Sequence, residues 1–149
     1  IGRLRAEKMQ VSIVDALTIS VRTCRYLAEA TDLADRLLTL RELADRTEFA
    51  GSKQAYSDYL DTLRALVASE EPAPELLAKT EQVYHSLKND TLQKIVWQRL
   101  ATTLGDQMLD TLSSVRRLSD QWAKSLYWRA GTDILNGYHH QEPVLENPQ

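Results

Sequence analysis

From Arg3 to Ala50 the chain contains neither glycine nor proline, a run of 48 residues. Those two residues are the strongest local helix breakers, glycine through backbone entropy and proline through its missing N–H and its ring. Apolar side chains recur within the run at steps of three and four. Met9, Ile13, Leu17 and Val21 form one series, and Ala30, Leu33, Leu37, Leu40 and Ala44 another. Steps of three and four are the signature of one buried helical stripe. Thr31-Asp32 offers a cap for a fresh start, so one long helix and two collinear ones are both allowed. An unbroken helix of this length would measure about 72 Å, longer than a compact domain of this size, and would favour a dimer or a scaffold position.

Gly51 is the expected stop and Ser52 the expected N-cap of the next helix. Tyr56, Tyr59, Leu60, Leu63, Leu66 and Val67 give that helix its apolar side. Ser69-Glu70-Glu71-Pro72-Ala73-Pro74 reads as a loop, because two prolines so close together cannot continue a helix. A second long arm follows, over about 75–130. It carries Leu76, Val83 and Leu87, then Val96, Leu100, Leu104, Met108, Leu112, Val115, Trp122 and Leu126 in phase. Asn89-Asp90-Thr91 is a possible break. Gly105 marks a weak point, a kink, or the close approach of a neighbour. Gly131 is expected to end the arm, and residues 132–149, with Gly137, Pro143 and Pro148, read as an irregular tail.

No alternating strand pattern occurs. The reading is therefore all-α: an antiparallel bundle of three to five helices with two long arms, one domain over 1–131 and a tail over 132–149. At 149 residues and 43% hydrophobic composition the chain is long enough to bury a real core. The formal net charge is −3, with lysine and arginine interspersed among the acids, which argues against nucleic acid as a partner. No stretch reaches the 18 or so apolar residues of a membrane span. The one cysteine, Cys24, excludes an internal disulfide and suits a reducing compartment, cytoplasm or organelle matrix. Lying inside a helical run, it reads as a small core residue. The chain begins at Ile1 rather than Met, which reads as a processed product or a fragment.

Few groups point to chemistry. Among the three histidines, His85 has the most suggestive surroundings. The segment His85-Ser86-Leu87-Lys88-Asn89-Asp90 resembles the phosphoacceptor motif of histidine phosphotransfer domains, and also the dimerisation helix of some sensor kinases. The resemblance implies a phosphoryl group carried on His85, with Lys88 one turn on to neutralise incoming charge. Glu81 and His85 lie at i,i+4, but helical metal sites use Glu-x-x-His together with further glutamates, so no metal and no cofactor is expected. The pair His139-His140 sits in the tail. All three tryptophans, Trp97, Trp122 and Trp128, fall in the last third. Trp122, Tyr127 and Trp128 cannot all face one way on a single helix. With Arg129 beside them they have the composition of a protein-binding hot spot. The alternative is that the tail folds back over Trp128.

The expected function is a non-enzymatic helical interaction module, a structural or adaptor subunit whose partners are other proteins or further copies of itself. Histidine phosphotransfer or dimerisation in two-component signalling, through His85, is the alternative. A four-helix extracytoplasmic sensor domain of a receptor is a second one.

Overall fold

The structure, a computed structural model, describes the backbone of residues 2–136 and the side chains of residue 10 and residues 13–131. Of the tail expected over 132–149, residues 137–149, with Tyr138, His139 and His140, lie outside the described residues. Five α-helices account for nearly all of the rest: α1 (Gly2–Leu33), α2 (Asp35–Ala44), α3 (Lys53–Ala68), α4 (Pro74–Val96) and α5 (Thr102–Asn136). A 3-10 turn, Thr47–Ser52, joins α2 to α3. No strand occurs among the described residues. The fold is an all-α helical bundle.

Ala34 sits between α1 and α2 with helical dihedrals, φ −61° and ψ −31°, so the two helices are separated by a single residue that never leaves the helical region. The first arm ends at Ala44 rather than at Gly51. Arg46 swings to an extended conformation, φ −69° and ψ 148°. That turn carries the Phe49 ring into the core, where it is fully buried and stands edge-on to Tyr56 at 6.0 Å between centroids. Burial of an aromatic ring stabilises the fold by about 2–3 kcal/mol, enough to override the helical pattern around it. Ser52 makes no cap bond to its own helix. Its hydroxyl donates instead to Asp90 Oδ2 on α4 at 2.7 Å, and Lys94 Nζ donates to the same hydroxyl at 2.8 Å. Pro74 opens α4 at its first turn, where a missing N–H costs nothing.

The second arm is interrupted at residues 97–101, not at Asn89–Thr91 or Gly105. The Arg99 N–H donates to the Lys94 carbonyl and the Gln98 N–H to the Ile95 carbonyl, while Gln98 has φ 54°. These paired bonds around a left-handed residue form a Schellman cap, a position that usually holds glycine. Here a glutamine fills it, so the sequence carries no visible stop. Gly105 lies within α5 where α4 comes close: a Cβ there would fall 2.5 Å from Ile95 Cγ1. Gly131 does not end α5, which continues to Asn136. Glycine stops a helix by turning left-handed, and no described glycine has a positive φ.

The core is built from α2, the 3-10 turn, α3, α4 and the first half of α5. Leu40, Phe49, Tyr56, Tyr59, Leu87, Met108, Leu112 and Val115 are its most deeply buried members. Buried threonines on these helices return their hydroxyls to the backbone one turn back, as Thr80 does to Leu76 and Thr91 to Leu87, and so add no unsatisfied polarity. None of the described side chains of α1 belongs to this cluster. The helix packs along α5, and the contacts fall along α5 as they rise along α1: Arg22 lies 4.9 Å from the Trp128 ring centre, and Glu29 accepts a bond from Gln121. The principal neighbour of α1 is thus α5.

Candidate functional site

A helix packed on one neighbour buries one face, and α1 buries the face that its sequence advertises less. Ile19 and Ala30 are 6% and 4% exposed, with Thr23, Tyr26 and Leu33 half-buried between and beyond them. The series Ile13, Leu17 and Val21, expected to be core, points the other way. With Val14 these residues are 54%, 60%, 66% and 59% exposed. Cys24 continues the same face and is exposed, not a core residue. The physical reason is geometric. Positions 13, 17, 21 and 24 lie roughly opposite positions 19, 23, 26 and 30 at 100° per residue, and α5 covers only the latter.

The outer face is also free of charge. Between residues 13 and 31 the charged side chains are Asp15, Arg22, Arg25 and Glu29, spaced so that all fall along one flank. Three of them are engaged: Arg22 over Trp128, Glu29 with Gln121, and Arg25 with Glu29 at 3.3 Å. Ser20 and Thr31, the hydroxyl residues of the outer face, donate to the carbonyls of Ala16 and Leu27 at 2.8 Å each and so present little polarity. The result is an uncharged strip about 27 Å long at 1.5 Å per residue. It is set on a chain whose composition is 26% charged.

The expected hot-spot residues occupy a different place. Trp122, Tyr127 and Trp128 are half-buried, and only Arg129 of that group is exposed. Trp122 and Arg129 line a cleft of about 350 Å³ with Thr23, Leu27, Val67 and Leu126. The Trp122 indole N–H is buried without a hydrogen-bond partner, as is the side-chain carbonyl of its neighbour Gln121. The most exposed tryptophan is Trp97, at 72%, beside Val96 at 74%. Both project from the Schellman corner. Periodicity hides them, because it runs one helix straight through that corner.

His85 stands on the surface of α4, its side chain 57% exposed, with Nε2 3.6 Å from Glu81 Oε2 and its ring 5.1 Å from that of Tyr84. Lys88 is half-buried one turn on. Glu81 is shared, because the Arg116 guanidinium donates to its two oxygens at 2.9 and 3.4 Å. That pairing holds the Arg116 guanidinium above its ordinary pKa. Glu81, Arg116, Arg117, Asp110 and Asp120 line a groove of about 720 Å³ with charges of both signs. Among the described residues no group of three or more His, Cys, Asp or Glu side chains is placed to hold a metal. None of the described helices is long and apolar enough to cross a membrane. No protein-family model, curated protein or solved structure matches this chain.

Proposed function

We propose that this chain is a non-enzymatic helical interaction module, a structural or adaptor subunit that docks through the outer face of α1. One observation carries the reading: Ile13, Val14, Leu17 and Val21 form a contiguous, uncharged, exposed strip on a helix whose opposite face is already satisfied. A fold gains nothing from such a strip. Each exposed Leu or Val forgoes about 1.5–3 kcal/mol that burial would supply, and contiguous exposed apolar area marks an interaction surface more often than scattered residues do.

The test is co-purification of the tagged full chain from its native source, as wild type and as the double variant Leu17→Glu/Val21→Glu. Both positions are more than half exposed, so circular dichroism and melting temperature should match wild type. The reading expects a partner, or a second copy, lost from the variant alone. Identical complexes with both proteins would overturn it.

The exposure of His85 favours phosphotransfer as a second reading. A surface imidazole on a bundle helix is accessible to a phosphodonor, and Lys88 follows one turn on. Incubation with phosphoramidate should then give acid-labile phosphate on the wild type and none on His85→Gln. No labelling of the wild type would remove this reading.

A further inference from the structure

A docking surface on the outer face of α1 leaves its occupant open. Resting on that proposed role, we infer that the occupant is the same face of a second copy of this chain, the two α1 helices lying side by side in parallel.

The register supports this occupant. Val14, Val21 and Ala28 repeat every seven residues, and Leu17, Cys24 and Thr31 repeat three residues after them. These are the a and d positions of a two-stranded pairing, and in parallel coiled coils β-branched residues at a, as at Val14 and Val21, with leucine at d, as at Leu17, favour two strands. Charge supports it as well. A surface that pairs with itself brings each side chain near its own copy, so a charged strip would repel its twin. This strip carries no charge, and the five charged residues of the region, Asp15, Arg22, Arg25, Glu29 and Asp32, sit along one flank. Across a parallel pair the flanking positions would match Ser20 with Arg25 and Leu27 with Asp32, and no like charges meet. Helix α5 packs on the opposite face of α1, which leaves the outer strip open to a second copy.

The size of the strip sets the strength. A face about 27 Å long on a helix about 10 Å across is smaller than the roughly 800 Å² per partner of a standard interface. The dimer is therefore a weak one, and its population depends on concentration.

Sedimentation equilibrium on the purified full chain, from a few micromolar to several hundred micromolar, tests the inference. The apparent mass should rise towards twice the monomer value. Leu17→Glu/Val21→Glu, and the uncharged Leu17→Gln/Val21→Gln, should hold it at the monomer. In the parallel register Cys24 faces its twin, so a short bismaleimide should join two wild-type chains through Cys24 and fail on Cys24→Ser, which still self-associates. A wild type monomeric at every concentration overturns the inference. So does a dimer that survives both double variants, or one that never cross-links through Cys24. If the wild type is monomeric but the double variant loses a co-purified partner, the second copy is wrong and the docking surface stands. If the wild type is monomeric and the variant keeps every partner, both fall.

Discussion

Gln98 is the place where backbone and side chain disagree, and replacing it with glycine should stabilise the protein. It caps α4 with φ 54°, the only positive-φ non-glycine residue described. The left-handed conformation costs an L-residue about 1–2 kcal/mol, because Cβ crowds the following carbonyl. Glycine escapes that cost but loses more backbone freedom on folding, about 0.5–1 kcal/mol. Gln98 is exposed, so its side chain takes little packing with it. The difference is a net gain of roughly 0.5–1 kcal/mol for Gln98→Gly, or about 1–4 °C in Tm for a chain of this size. Gln98→Val should move the other way, since a branched Cβ worsens the same crowding. Urea denaturation and thermal melting of the three proteins at a concentration where the chain is monomeric would decide. A Gln98→Gly protein that melts below wild type, or a Gln98→Val protein that matches it, would refute the Schellman geometry at this corner.

Three further outcomes are expected from the packing. Gly105→Ala should cost about 1–2 kcal/mol by urea denaturation, since overpacking against Ile95 outweighs the better helix propensity; in an Ile95→Ala background the same change should be close to neutral. Tyr59→Phe should be neutral or stabilising by up to about 1 kcal/mol, because the buried Tyr59 hydroxyl has no hydrogen-bond partner. Burial also raises the Tyr59 pKa. Its contribution is therefore complete below about pH 10 and lost as pH rises above that value, and Tyr59→Phe should flatten the alkaline fall in Tm. Burial pushes the Asp90 carboxyl up, but the bonds from Ser52 and Lys94 outweigh it and hold the group below its ordinary pKa. That stability is present above about pH 4 and lost as pH falls below it, so Ser52→Ala should cost about 1 kcal/mol at neutral pH and less in acid.

Much of the fold is legible in the sequence because helix breakers and proline loops speak locally. The all-α class, the 69–73 loop and the apolar sides of α3 and α4 can all be read from spacing. The features that stay hidden depend on partners distant in the chain. Arg46 leaves the helix because Phe49 is wanted in the core, and nothing near Arg46 announces it. Gln98 occupies a glycine position, so the turn between α4 and α5 looks like continuous helix, and Val96 looks like part of a stripe. Cys24 reads as core because a cysteine in a helix usually is, yet the face it shares is the one α5 leaves uncovered. Helix α1 has two apolar faces, and periodicity alone cannot say which one the body covers. The more regular series, Ile13, Leu17 and Val21, is the outer one. His85 illustrates the opposite case: its place on a bundle helix is readable, whereas its sharing of Glu81 with Arg116 requires the packing of α4 on α5.

The two-faced character of α1 is most directly tested by truncating one residue on each face and measuring stability in urea at low micromolar concentration, where the chain is monomeric. Ile19→Ala should cost about 2–4 kcal/mol, as a buried isoleucine does, while Leu17→Ala should change stability by less than about 0.5 kcal/mol, as an exposed position does. A larger loss at Leu17 than at Ile19 would mean that the strip assigned to the outside is the one the body buries, and the docking surface would go with it.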